Sequence, residues 1–160
     1  MDRLSWPRNF PKTLPLAVGI TRSGENMEHR LTRLLSSFGK AHSQLTKALA
    51  QPKDEFVRDA AIQRFELTFE LFWKTLQAYC QMQGLDANSP RASLREAFRL
   101  GLMDDDSHYM AMLQSRNLAS HTYEETVAET IYASLPTFAD AMHAVVVKIQ
   151  ADLEGAEEHP

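Results

Sequence analysis

From Met27 onward, apolar residues recur at three- and four-residue steps, the spacing of one face of a helix. Leu31, Leu34, Leu35, Phe38, His42, Leu45 and Leu49 form the first stripe. Gln51-Pro52 ends it, because a residue before proline is pushed out of the helical region. A second stripe, Phe56, Ile62, Phe65, Phe69, Phe72, Trp73, Leu76 and Tyr79, is the most apolar of all and reads as the longest helix. It is too wide for a helix with one neighbour and predicts contact with at least two. Its aromatic residues therefore read as core, and Gly84 suits a C-terminal cap.

Ser89-Pro90 is a helix start, with Ser89 as N-cap and Pro90 in the first turn. The short helix that follows is expected to carry Leu94, Ala97 and Phe98 inward and to stop at Gly101. Asp104-Asp105-Asp106 then opens a helix whose buried strip is Tyr109, Met110, Met112 and Leu113. The last helix starts from a capping box, Thr122 three residues before Glu125. Val127, Ile131, Leu135, Phe138, Met142, Val145 and Ile149 continue it. Pro136 is expected to kink this helix near Tyr132, with Ser134 free to cap a restart, and the chain is expected to fray after Leu153.

Four long amphipathic segments, one short one and brief connections predict an all-α fold: an antiparallel up-and-down four-helix bundle with one additional short helix. The bundle is assigned to residues 27–153 and a frayed tail to residues 154–160. Residues 1–26 differ, since Pro7, Pro11, Pro15, Gly19 and Gly24 interrupt any regular pattern. They read as a flexible or extra N-terminal arm. The run Leu14 to Ile20 is short and broken by proline, and is not expected to be a signal peptide. No apolar run approaches the ~20 residues of a membrane helix.

Composition changes this picture little. The fractions of 44% hydrophobic and 24% charged residues are those of a globular protein. The net charge of −4 does not draw nucleic acid to the surface as a whole, so any RNA contact must be local. The best local candidate is the row Arg91, Arg95 and Arg99, spaced to lie on one helix face and able to track a phosphate backbone. The single cysteine, Cys80, lies in an apolar stretch and reads as a small core hydrophobe, which fits a cytoplasmic setting. No cluster has strong metal-ligand spacing, and no cofactor is expected.

Chemistry concentrates in Arg116-Asn117-Leu118-Ala119-Ser120-His121-Thr122-Tyr123, where a cation, an amide, an imidazole and a phenol fall within eight residues. In an unbroken helix Arg116 and His121 would point about 140° apart. A turn between them lets both face one cleft. Asn117 shares a face with Met110 and Leu113 and is expected to point inward. Arginine holds phosphate oxygens bidentately and histidine moves protons near neutrality, so the pair suits phosphate chemistry. Metal-free RNA cleavage needs both a base and an acid; one chain supplies one such histidine, and a two-fold dimer supplies two. The competing reading is a polar helix junction in which Arg116 pairs with Glu66 or Glu70.

The stretch matches R-x4-H-x-Y through Arg116, His121 and Tyr123, and resembles the HEPN superfamily, specifically its nucleotidyltransferase substrate-binding-protein branch. The resemblance extends to Ile62 through Lys74, to Ser89-Pro90-Arg91 with Arg95-Glu96-Ala97-Phe98, and runs from about Met27 to Ile149. It implies a homodimer built around the Arg–His motif and a small nucleotidyltransferase partner encoded nearby. In toxin–antitoxin members it implies a metal-independent ribonuclease, silenced when the partner adds AMP to the motif tyrosine. By that resemblance Arg116 and His121 would be catalytic, Asn117 would support the site and Tyr123 would be the modified residue; Glu66 and Glu70 are supporting candidates as partners for Arg116. The alternative is a non-catalytic subunit that presents substrate to the nucleotidyltransferase. The chain has no polymerase-type acidic motif and is not itself expected to transfer nucleotides.

Overall fold

Five α-helices and one 3₁₀ turn make up the regular structure of the computed structural model, which describes residues 22–105 and 107–158. They are α1 (Arg22–Leu49), α2 (Glu55–Met82), α3 (Pro90–Arg99), α4 (Ser107–Leu118), the 3₁₀ turn Ala119–His121 and α5 (Glu125–Glu157). There is no strand among the described residues, as expected of an all-α chain.

Cross-helix contacts fix the directions. Arg30 near the start of α1 donates to Gln77 and Gln81 near the end of α2, while Arg64 reaches the Gln44 carbonyl, so α1 and α2 are antiparallel. On α2, Phe65 packs on Phe138 and the Tyr79 hydroxyl donates to Asp152 at 2.5 Å. Both pairs have the same offset in sequence, so α2 and α5 run parallel. Glu70 meets Arg116 and Phe72 meets Tyr109, which makes α4 antiparallel to α2. The result is the expected up-down-up-down bundle of α1, α2, α4 and α5, with α3 as the additional short helix.

α2 is the packing centre, in contact with α1, α3, α4 and α5. Phe65, Phe69, Phe72, Leu76 and Tyr79 are fully buried, and Phe72 lies between Phe38 of α1 and Tyr109 of α4. Each such side chain contributes about 1.5–3 kcal/mol through burial. His42 is a satisfied interface histidine, as its place on the α1 stripe suggested. Its Nε2 lies 2.9 Å from the Ala139 carbonyl.

Helix ends follow the local chemistry. Ser89 caps α3 by accepting the Ala92 N–H, and Pro90 sits in the first turn. Gly84 (φ 76°) and Gly101 (φ 75°) each sit just past a helix end. After each, the next residue closes a 6→1 bond, Leu85 to Cys80 and Leu102 to Ala97.

Several expectations are corrected. α5, at 33 residues, is the longest helix, ahead of α2 at 28. α1 begins at Arg22 rather than Met27, so residues 22–26 are helical; the remainder of the expected arm, residues 1–21, lies outside the described residues. The tail does not fray after Leu153: α5 continues to Glu157, with Leu153 packed against the core. Pro136 lies on the exposed face within a continuous α5. Ser134 donates to the Thr130 carbonyl and caps nothing.

Phe56 is 76% exposed, not part of the core. The buried stripe of α2 runs back from Ile62 to Arg58, four residues earlier, and Phe56 points away from it. Phe98, expected inward, is 42% exposed because Ser93, Leu94 and Ala97 already fill the inner face of α3.

Candidate functional site

Arg116 is placed by the buried strip of α4. Tyr109, Met112 and Leu113 face the core, and Arg116 is the next position on that side. Its guanidinium Nη2 donates to Glu70 Oε2 on α2 at 3.4 Å. Glu70 also accepts from the Trp73 indole N–H at 2.9 Å and pairs with Lys74 at 3.1 Å. Burial pushes the Glu70 carboxyl upward; the Trp73 hydrogen bond, Lys74 and Arg116 together outweigh it and hold the group below its ordinary range. Glu70 is thus an anion at neutral pH, with Arg116 tethered to it and still 40% exposed.

Of the two glutamates raised from sequence, the structure selects Glu70. Glu66 is exposed and makes no ion pair among the described residues. Asn117 is also exposed rather than inward, and its side-chain oxygen accepts from Arg116 Nη1 at 3.4 Å. The inward face of α4 passes through Arg116, and the helix ends one residue beyond Asn117.

The chain turns between Arg116 and His121, but not by a capping box. Ala119–His121 is a 3₁₀ turn, and the Thr122 hydroxyl donates back to the Ala119 carbonyl at 3.2 Å. α5 starts only at Glu125, and its N-cap, Glu124, makes no side-chain cap. Thr122 is helical in backbone and spends its hydroxyl on the preceding turn, so it cannot serve the next helix. The turn presents His121 and Tyr123 together: His121 Nδ1 lies 3.3 Å from the Tyr123 hydroxyl, with the rings edge-to-face at 5.8 Å. Both side chains are exposed, Tyr123 to 78%. Nδ1 of His121 is thus engaged, and Nε2 makes no hydrogen bond among the described residues. No hydrogen bond joins Arg116 directly to His121 among the described residues.

Residues 33–151 match the family described as nucleotidyltransferase substrate binding protein like. The chain belongs to that family. It is the HEPN branch that the motif pointed to. A probable ribonuclease HepT of Haemophilus influenzae is 36% identical over 83 residues, which cover 49% of this chain and 57% of that protein. The match thus spans little more than half of that relative. A Thermus thermophilus protein of known structure is 40% identical with a TM-score of 0.67, over 69% of this chain and 97% of its own. HI0074 of Haemophilus influenzae, described as having the fold of a substrate binding domain of a nucleotidyltransferase, is 26% identical with a TM-score of 0.57. That likeness covers 79% of this chain and 98% of HI0074.

The arginine row of α3 is exposed as expected, with Arg99 paired to Glu96 at 3.1 Å. No group of three or more His, Cys, Asp or Glu at metal-binding distance occurs among the described residues, Asp104, Asp105 and His108 included. No helix of the described chain is long and apolar enough to cross a membrane.

Sequence reasoning missed two features. Arg58 is buried, bound to Glu129 at 2.9 Å and to Glu125 and Asp59, and its charge is strongly favoured by these three carboxylates. It fastens the start of α5, just after the His121 turn, to the start of α2. The signal was available, since extending the α2 stripe back from Ile62 lands on Arg58. Trp73 was assigned to the core, yet its indole N–H supports Glu70 at the i,i+3 spacing.

Proposed function

We propose that this protein is the HEPN-type partner of a separately encoded minimal nucleotidyltransferase. In this reading it acts as a metal-independent ribonuclease in a cytoplasmic homodimer, silenced by AMP on Tyr123. The observation that carries the proposal is the presentation of His121 and Tyr123 on one exposed turn directly after a tethered Arg116. Arg116 binds the scissile phosphate and stabilises its developing charge. His121, through Nε2, moves a proton to or from the reacting oxygen. Glu70 holds Arg116 in place and Asn117 supports the guanidinium from the other side.

Cleavage needs one base and one acid, and one chain offers a single motif histidine. A second copy supplies the other, so the site is composite. Leu67 on α2 and Leu118 at the end of α4 are exposed apolar side chains available to a second chain. AMP transfer attaches the Tyr123 phenol oxygen to the α-phosphorus of ATP, with pyrophosphate leaving and the phenol proton passing to a base of the partner. The modified oxygen no longer donates to His121, and the added phosphate competes with RNA for Arg116.

The test is cleavage of RNA in EDTA by the unmodified protein and by His121→Ala. Loss of cutting in the variant supports the reading; equal cutting, or none by either, removes it. The Arg116–Glu70 pair favours a second reading, because a guanidinium already neutralised by a carboxylate suits a non-catalytic subunit that presents substrate to the nucleotidyltransferase. That reading predicts a stable complex with the partner, unchanged in His121→Ala, and no nuclease.

A further inference from the structure

Between α3 and α4 lies a pocket of about 290 Å³ that the motif does not use. Arg91 and Arg95 stand on one side; Leu94, Phe98, Met103 and Met110 supply an apolar wall. We propose that it is a nucleotide subsite, which takes a base against Phe98 and Met110 and the flanking phosphates on Arg91 and Arg95. The inference rests on the reading that the Arg116–His121 site accepts RNA, and names where a neighbouring nucleotide binds.

Three observations carry it. First, the cations are uncommitted. Arg99 is paired with Glu96, whereas Arg91 and Arg95 are exposed and have no ion pair among the described residues. Their four-residue step separates them by about 6 Å along the helix, which suits successive phosphates of a single strand. Two guanidinium forks match phosphate oxygens bidentately.

Second, the exposed ring has no structural use. Phe98 is 42% exposed where the inner face of α3 is already filled, and it borders the pocket. An aromatic face beside paired arginines is the arrangement by which single-stranded nucleic acid is held without sequence readout. The small volume suits one base better than an extended peptide side.

Third, the pocket is in register with the motif. Tyr109 borders it, and Tyr109 and Arg116 share one face of α4 two turns apart, about 10 Å along the axis. That axial separation is short enough for neighbouring nucleotides of one strand to span it along the outside of α4. Asp104 and Asp105 lie near Tyr109 and oppose a phosphate. Asp105 accepts the Ser107 N–H at 2.8 Å, which fixes its carboxylate at the start of α4 and keeps it charged, so the two arginines must outweigh it.

The experiment uses a fluorescein-labelled 2′-O-methyl oligonucleotide, which 2′-hydroxyl attack cannot cut, titrated into the full chain at several salt concentrations. Arg91→Gln/Arg95→Gln is expected to lower affinity about tenfold or more and to reduce the salt slope by about 1.4, the value for two single-strand phosphate contacts. Phe98→Ala is expected to weaken binding about tenfold at an unchanged slope. All three positions are exposed, and circular dichroism checks the fold.

Wild-type binding that both variants retain in full overturns the subsite, as does a wild type that does not bind. Unchanged RNA affinity with loss of binding to an acidic, leucine-containing peptide also overturns it, in favour of protein docking. Arginine-dependent binding without any cleavage in EDTA leaves the subsite standing and removes the nuclease reading. Cleavage and binding that both ignore Arg91 and Arg95 do the reverse.

Discussion

Glu70 and Arg116 are 46 positions apart in sequence and meet across the α2–α4 interface at 3.4 Å. One carboxylate thereby serves an indole, an ammonium and a guanidinium. Glu70→Gln is expected to keep the fold, with a cost below about 1 kcal/mol because both partners remain partly exposed. RNA cleavage is expected to fall about tenfold or more as Arg116 loses its anchor. The pH dependence has a definite sign. The folded group titrates below its ordinary 4.5, so its stabilisation is complete above that value and is lost as pH falls through the lower, folded one. The difference in Tm between wild type and variant should therefore shrink on acidification below about pH 5. A gap that stays constant or widens contradicts the assignment.

Phe72 is fully buried among Phe38, Phe69 and Tyr109. Phe72→Ala is expected to cost about 3–5 kcal/mol, a large part of a typical domain's stability. Urea unfolding measures it; a cost under about 1 kcal/mol would mean that this centre is not packed as described.

Gly84 has a positive φ of 76°, and a Cβ built there meets nothing within 4 Å. Gly84→Ala isolates backbone strain from crowding. The expected loss is about 1 kcal/mol, readable as a drop of about 2–4 °C in Tm.

Burial, with Glu96 adding to it, pushes the Cys80 thiol from 9.0 up to about 12. The native thiol is therefore protonated at neutral pH and should resist iodoacetamide until the protein unfolds. Between the unfolded and folded values the native state holds a proton that the unfolded chain has released. Stability should thus decline as pH rises above about 9, by about 1.4 kcal/mol per unit from this group. Chemical denaturation of wild type and Cys80→Ala across that range reads the difference.

Tyr123 is 78% exposed and, among the described residues, its hydroxyl bonds only His121. Tyr123→Phe is expected to change stability by less than about 0.5 kcal/mol. Under the proposed regulation it should abolish the mass gain of one AMP seen with ATP and the nucleotidyltransferase. A gain that persists in the variant places the modification elsewhere.

The bundle was legible because apolar periodicity and glycine or proline stops act locally: Ser89-Pro90, Gly84 and Gly101 behave as their chemistry dictates. Phe56 and Phe98 are apolar but fall at helix angles off the buried faces of α2 and α3, so hydrophobicity alone does not place them. Arg58 was missed because its burial depends on Glu125 and Glu129, carboxylates a helix away. At the site, residue types were readable but partners were not. Thr122 matched a capping pattern, yet the 3₁₀ turn claimed its hydroxyl first. Lys74 and Trp73, four and three residues on, already set Glu70 apart from Glu66; that Arg116 joins them is decided by where α4 lands.

The parallel course of α2 and α5 has a kinetic consequence. α1 and α2 form a hairpin with a brief connection, so their pairing closes a short loop. Phe65–Phe138 and Tyr79–Asp152 close one of 73 residues, which adds entropy to the search and delays it. Arg116 finds Glu70 only when the second half of the chain docks. Pulse-labelled hydrogen exchange should therefore show α1 and α2 amides protected before those of α5. A nascent chain on this route holds a folded hairpin before Arg116 and Glu70 have met.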